Sequence, residues 1–524
     1  MKYTFSLLIM LAFAAINAVH SIAQAPVIDW QKCLGGSGND YGYFIQQTAG
    51  GGFIIAGIAG SVDGDVTGKH DAEDYWMIRL SSAGNIEWQK TLGGNGYDYA
   101  FSVQQTTDGG FIAAGLTTSV DGDVTGNHGS EDAWVVKLDA SGNITWQHAY
   151  GGSNYDGLFA IQQSGDDGYI AAGYSASADG DVTVNHGDLD CWVIKIDNEG
   201  NLQWQKSLGG SMQDRAYSIL VIPEDGFMMA GTTASSNGDV TLQHGAEDYW
   251  LVKLDNSGNM EWQKTYGGAD NDGLHSISQA GENGYVFTGY SGSNSGDVTG
   301  NHGSYDYWTV RTDATGNILW QQSLGGSGDD EAWAVSPAND GGFIVAGNSI
   351  SSDGDVTGNH GSQDYWLVKL SAEGSMEWQG CYGGTDMDNA TSAVQTADAG
   401  YVLAGSTSSF NGNVAGNHGY TDVWIVRLDA VTGISEPSLT TGSLLVYPNP
   451  LSNASTVSFS LKRKSVVELS LYDLTGREIQ RLLHENLAAG THCLLLDKVK
   501  QPAGIYLLRL SIDGESLVQK IEVQ

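Results

Sequence analysis

The sequence predicts an all-β protein: a seven-bladed β-propeller of 58-residue repeats, followed by a small C-terminal β-sandwich. Three observations point there. Trp30, Trp88, Trp146, Trp204, Trp262, Trp320 and Trp378 stand 58 residues apart, and Trp76, Trp134, Trp192, Trp250, Trp308, Trp366 and Trp424 keep the same step without an insertion or deletion. Self-similarity at a fixed period is the signature of a solenoid, propeller or array. Glycine is abundant at 73 and proline scarce at 7, which suits short strands and tight turns, while 15 Trp and 24 Tyr argue against disorder. Finally, each unit divides into four β-rich segments bounded by Gly, Asn and Asp.

The elements follow in chain order. Residues 1–23 carry an early Lys2, an apolar run from Phe5 to Val19, and small Ser21 and Ala23, the pattern of a cleaved secretory signal peptide. That run is too short to span a bilayer, and nothing later in the sequence is apolar enough to do so. Residues 24–436 hold the repeats. In the second unit the strands are YAFSVQQT, FIAAGL, DAWVVKLD and the segment around ITWQ, with turns at TDGG and ASGN and a long loop through DGDVTGNHG. Four short strands in a unit of this size make a propeller blade. The last unit stops after VWIVRLD (423–429), and the missing fourth strand stands at the other end as VIDWQKC (27–33). The N-terminal strand is therefore expected to complete the last blade, closing a ring that would otherwise expose strand edges. An open solenoid is the competing shape.

Charge and cysteines narrow the partners. Residues 24–436 contain 13 Lys and Arg against 53 Asp and Glu, a net of −40, whereas residues 437–524 contain 9 against 8. Nucleic acid and anionic membrane surfaces are poor partners for the acidic region, and cations are better ones. Cys33, Cys191, Cys381 and Cys493 are scattered and match no disulfide or zinc spacing, so free or buried thiols are expected.

After a polar linker, residues 437–445, the character changes. Residues 446–524 alternate apolar and polar positions, as a small antiparallel sandwich requires. The motifs VYPNP (446–450), LYDLTGREI (471–479) and GIYLLRL (504–510), in that order, closely resemble the type A C-terminal sorting domain of the type IX secretion system in Bacteroidetes. The resemblance implies handling by the type IX machinery, passage across the outer membrane, and release or attachment at the cell surface. The Lys520 to Gln524 ending is only loosely like the basic ending of many members. The repeats are also similar to uncharacterised propeller repeats of such cargo, which implies a fold but no activity.

DGDVTGNHGSED (121–132) reads as a calcium loop, with oxygens at positions one, three and five, glycine at six and a carboxylate at twelve. The pattern is most complete in units one, two and six, giving Asp63, Asp65, Asp74, Asp121, Asp123, Asp132, Asp353, Asp355 and Asp364 as candidate calcium ligands. The repeats also support a metal-free turn. Position one becomes Asn237, Ser295 or Asn411 and position six Val184 or Leu242 without a change of length, and Asp caps tight turns unaided. His70, His128, His186, His244, His302, His360 and His418 each precede an Asp by four residues in all seven units and are expected to bond it. A second column, Asp40, Asp98, Asp156, Asp214, Asp272, Asp330 and Asp388, either caps turns or rings a channel mouth.

Enzyme chemistry has thinner support, because one active site needs particular residues from particular blades. The off-pattern residues are His148, Arg215, His275, Glu331 and Trp333, and no sialidase, GxSxG or HExxH signature occurs. The reading that follows is an exported, non-catalytic, multivalent binding protein, secreted or held on the outer-membrane surface, with a polysaccharide or other repetitive surface molecule as ligand. Calcium is the one cofactor the residues suggest. The alternative is a glycoside-active enzyme using Arg215, Glu331 and Trp333.

Overall fold

A computed structural model describes residues 24–281, 284–431, 444–447, 454–461, 463–473, 477–488, 490–497, 502, 504–512 and 515–523. The leader 1–23, residues 437–443 of the linker and Pro448 to Pro450 of the first sorting motif lie outside them. The chain separates into two compact units, residues 1–431 and 432–524. Every regular element in the described residues is a strand.

In the first unit the four segments of each repeat form one antiparallel sheet. The first sheet runs Asp40–Gln47, Phe53–Ala59, Asp74–Leu80 and Ile86–Leu92, hydrogen-bonded in that order, and the same arrangement recurs through the sixth. The seventh takes Asp388–Gln395, Tyr401–Thr407 and Asp422–Leu428 from the end of the repeats and Ile28–Leu34 from their beginning. Ile28–Leu34 pairs antiparallel with Asp422–Leu428, placing Cys33 opposite Trp424. The N-terminal segment thus supplies the strand that the last repeat lacks.

Second and third strands, such as FIAAGLT and DAWVVKL, are buried along their whole length because sheets pack on both faces. Each seam between sheets has its own apolar core. Between the first and second it joins Ile54, Tyr75 and Met77 to Phe111, Trp134 and Val136, and between the seventh and first it joins Val402 and Ile425 to Ile55 and Trp76. The first strands of successive sheets touch in the order one to seven, and the seventh touches the first.

The third-strand tryptophans anchor these seams. Trp134 is fully buried, lies 4.5 Å from the Tyr75 ring of the preceding sheet, and donates its indole N–H to Gln147. Tyr75 in turn donates its hydroxyl to the Trp134 carbonyl at 2.8 Å. Burying one such side chain contributes about 2–3 kcal/mol, and the polar edges are satisfied locally. Cys33, Cys191 and Cys381 are buried and unbridged.

The second unit contains two antiparallel sheets. Leu444–Tyr447, Ala454–Leu461 and Gly490–Asp497 form one; Glu478–Leu487, Ser465–Tyr472, Gly504–Ile512 and Glu515–Val523 form the other. A single apolar core, including Val457, Phe459, Leu469, Leu471, Leu508 and Leu510, joins them. Alternation along SVVELSLY and GIYLLRL puts these residues on one face, as a half-buried strand requires.

Candidate functional site

The repeated carboxylates are built into the turns. Asp98 and its six equivalents open the first strand of each sheet and are completely buried. Asp98 accepts from the Gly94 N–H at 2.9 Å, from the Ser119 hydroxyl at 2.8 Å and from the Thr117 hydroxyl. Asp156, Asp214, Asp272, Asp330 and Asp388 repeat these bonds with Ser or Thr in the same places. Their lone pairs are occupied inside the protein, so this column caps turns rather than facing a channel mouth.

The nine candidate calcium ligands divide in two. Asp63, Asp121 and Asp353 accept the backbone N–H of Ser37, Asn95 and Ser327, at 2.7, 2.9 and 2.8 Å. Asp65, Asp123 and Asp355 accept those of Gly35, Gly93 and Gly325, at 3.3, 3.2 and 3.3 Å. These six pin the long loop to the short loop that enters the same sheet. Asp74, Asp132 and Asp364 sit apart, each taking both the backbone N–H and Nδ1 of the histidine four residues earlier, at 2.6–2.9 Å. Among the described residues no three His, Cys, Asp or Glu side chains gather as a metal-ligand set. The left-handed residue shared by all seven loops is the second, Gly64 at φ +66° and its equivalents Gly122, Gly180, Gly238, Gly296, Gly354 and Gly412. A Cβ on Gly64 would stand 2.2 Å from the Gly35 carbonyl oxygen, so only glycine lets the two loops close. Val184 and Leu242, which replace the sixth-position glycine, avoid positive φ.

Each seam also buries two carboxylates together. In all seven repeats the Asp beside the histidine leaves Oδ1 buried and without a hydrogen-bond partner: Asp74, Asp132, Asp190, Asp248, Asp306, Asp364 and Asp422. That oxygen converges with the turn-capping Asp of the next sheet. A Cβ on Gly267 would lie 2.4 Å from Asp248 Oδ1 and 2.7 Å from Asp272 Oδ2, so the glycine also makes room for the pair. Burial, opposed by the His244 bonds and reinforced by Asp272, pushes the Asp248 carboxyl up to about 6. Burial and neighbouring Asp364 do the same for Asp388. Asp98, Asp132, Asp190, Asp306 and Asp422 move in the same direction, again mainly through burial.

Two kinds of concavity bear on binding. The larger, about 570 Å³, is a groove between the second and third sheets lined by Trp146, Tyr169, Lys137, Asp108, Gln163 and Asn198 among others. Its framework is part of the repeat, for the Trp146 position is Trp in every unit, the Tyr169 position Phe or Tyr, and the Lys137 position Lys or Arg. Lys137 is ion-paired to Asp108 at 2.9 Å, and Lys195, Lys369 and Arg427 pair likewise. Trp146 is partly buried, with its indole N–H on the Asn198 carbonyl and its ring beside those of His148 and Tyr169. Trp378 is buried, near a seam where Tyr382 bonds the Pro26 carbonyl.

The second concavity is shared by all seven sheets. About 340 Å³ in volume, it is ringed by Tyr43, Phe101, Phe159, Tyr217, His275, Trp333 and Thr391, one from each first strand at the 58-residue step. Successive rings touch at centroid distances of 5.1, 5.1, 5.0, 5.3 and 3.9 Å, ending with His275 stacked on Trp333 at 6°. An adjoining chamber of about 220 Å³ shares Tyr217 and His275 and adds Gln213, Arg215, Thr232, Glu247, Gly273 and Tyr290. His275 donates from Nδ1 to the Ala332 carbonyl at 2.9 Å, and burial lowers its pKa to about 4, leaving a neutral ring with Nε2 as an acceptor. Of the off-pattern residues, Arg215, His275 and Trp333 line these two cavities. Glu331 lines neither but acts electrostatically on Tyr290 of the chamber wall, and its own carboxyl is raised by burial and by Asp329. His148 is elsewhere, packed between Trp146 and Tyr150.

With this geometry established, the decisive likeness lies in the second unit. Residues 445–524 match the family described as the secretion system C-terminal sorting domain. This supports handling of the chain by the type IX secretion system and export to the cell surface or beyond it. The regulatory protein FlaEY of Caulobacter vibrioides is 23% identical over 409 residues, covering 68% of this chain. The chain spans 42% of the length of that curated relative. Among solved structures, PorZ, a surface component of the type IX secretion system of Porphyromonas gingivalis, aligns with 91% of this chain and 64% of its own at 11% identity and a TM-score of 0.34. A puromycin hydrolase aligns with 84% and 62% at 11% identity and a TM-score of 0.44. No helix in the described residues is long and apolar enough to cross a membrane.

Sequence reasoning ahead of the sorting domain missed the aromatic ring. Its signal lies in the column beginning at Tyr43, which is aromatic or histidine in six consecutive units, of which only His275 and Trp333 stand out as off-pattern. The paired seam carboxylates were visible only as two separate columns, since nothing local places Asp248 against Asp272.

Proposed function

We propose that this chain is an exported, non-catalytic binding protein. In this reading residues 24–436 are a closed seven-bladed β-propeller, residues 446–524 direct type IX secretion, 437–445 form the linker, and residues 1–23 are removed on export. The cyclic contacts of the first strands and a cavity lined by all seven sheets support closure. The observation that carries the binding role is the seam groove, whose framework of a Trp, a second aromatic and a base recurs in every repeat, the Trp partly buried in six of the seven. Several such grooves at fixed spacing give avidity for a repetitive ligand, and Trp faces beside Asp, Asn and Gln suit a polysaccharide. A glycan array probed with the full-length protein tests this. Retention on polymeric but not monosaccharide spots is expected, and silence across the array would remove the proposal.

A glycoside-active enzyme is the second reading, favoured by one observation. Glu331, with its raised carboxyl, stands near the cavities lined by Arg215 and Trp333, as a general acid would. Glycoside turnover lost in Glu331→Gln would establish it, and no turnover on the polymers that bind would exclude it. Calcium at the carboxylates of the first, second and sixth long loops is the cofactor either reading would carry. The bonds those carboxylates already make support a turn that forms without it. Melting the protein with calcium and then with chelator separates the two cases, and an unchanged midpoint is expected for the metal-free turn.

A further inference from the structure

The groove framework is built from repeated positions, whereas the chamber beside the aromatic ring is lined by residues that break the repeat, among them Arg215 and His275. Arg215, a basic residue outside the seam column, stands in its wall. Lys137, Lys195, Lys253, Lys369 and Arg427 all have carboxylate partners. Arg215 enters no ion pair among the described residues, and neither does Glu247 across the same chamber. In the equivalent places elsewhere the acid is satisfied, since Tyr99 donates to Glu73 at 2.6 Å and Tyr174 to Glu131 at 2.5 Å. Glycine contributes as well. Gly273 occupies the position held by Tyr41 and Tyr99 in the first two sheets, and a Cβ there would stand 2.4 Å from the Tyr290 ring.

From this we infer that the chamber binds a small zwitterion, an α-amino acid with an aromatic or apolar side chain. Its carboxylate lies on Arg215, its ammonium on Glu247, and its side chain runs past His275 into the aromatic ring. Three physical points support the assignment. A guanidinium takes a carboxylate through two parallel hydrogen bonds, and no acid of the protein competes for it at ion-pair distance. The surrounding unit carries a net charge of −40, which repels simple anions and leaves a ligand of zero net charge at no long-range disadvantage. Tyr217, Tyr290, Phe159 and Trp333 present aromatic surface for the side chain, and His275 between them is uncharged at neutral pH. A volume of about 220 Å³ holds the amino-acid head, and the adjoining 340 Å³ holds the rest.

The test is calorimetric titration of the full chain with L-phenylalanine, N-acetylphenylalanine, phenethylamine and glucuronate. Phenylalanine is expected to bind. Removing its charge at either end should weaken binding about tenfold or more, as should Arg215→Gln and Glu247→Gln in variants that melt like the parent. Glu247→Gln should leave N-acetylphenylalanine unaffected, a signature that a folding defect would not give. Failure of phenylalanine to bind at millimolar concentration, or binding indifferent to both substitutions, would overturn the proposal. So would glucuronate binding more tightly than phenylalanine, because that would make the chamber an acidic-sugar site. The outcome is independent of the glycan array, which interrogates the seams.

Discussion

Asp248 shows how one residue serves two neighbours. Its Oδ2 receives the His244 backbone and ring N–H groups, while its Oδ1 is buried without a donor and converges with Asp272. A buried acceptor lacking a donor costs about 1–3 kcal/mol, and a second carboxylate beside it adds repulsion once both are ionised. Asp248→Asn supplies an N–H₂ group at that point. Because the folded pKa of about 6 exceeds the ordinary value of about 4, the wild-type carboxyl stabilises the fold below pH 4, and this contribution is lost as pH rises through 6. The variant should therefore match the wild type below pH 4 and be more stable at pH 8, by on the order of 1–3 kcal/mol. Chemical denaturation at both pH values checks this, and a variant less stable at pH 8 would contradict it. The two Asp columns were each legible in the sequence; their contact was not, because it depends on the rotation between adjacent sheets.

At the scale of elements, the strand borrowed from the N-terminus bears the most weight. Ile28–Leu34 covers the edge of Asp422–Leu428, whose residues include the fully buried Trp424. Deleting residues 24–34 would leave a three-stranded seventh sheet with an unpaired apolar edge, the kind of surface that pairs with other chains. A lower melting temperature and aggregation by light scattering are expected; a deleted chain that stays monomeric and melts like the parent would count against the role given to this strand. The pairing was legible because strand count and the tryptophan step left a single vacancy at one end and one spare strand at the other. The long loop was half-legible. Its histidine–aspartate bond followed from invariant spacing, but the left-handed glycine that defines the turn was Gly64 and its equivalents, at the second position, not the sixth that a calcium loop emphasises. The acids that give this loop its resemblance to a metal site also hold it to the neighbouring loop.

For the molecule as a whole, acidity and repetition have a common consequence. Many seam carboxyls are raised by burial, whereas Asp108 and Asp166, despite partial burial, are drawn down to about 2 by hydroxyl and lysine partners. Stability from the lowered groups is present above pH 4 and lost only as pH falls through 2, so the raised groups govern the range from 4 to 7. The melting temperature of the full chain should accordingly rise as pH falls from 7.5 to about 5, and a midpoint that falls across this interval would refute the seam assignment. Repetition makes the scaffold and the seam grooves, and the departures from it, Arg215, Gly273, His275 and Trp333, line the cavities proposed above as a ligand site. The sorting domain points to export by the type IX system, and its motifs were legible because alternating strands and fixed short motifs are local features. Fractionation of a bacterium with a working type IX system, expressing either the full chain or a chain ending at Val431, tests that claim most directly. The full chain should appear at the cell surface or in the medium without residues 446–524, while the shortened chain stays folded in the periplasm. Equal export of both would contradict it.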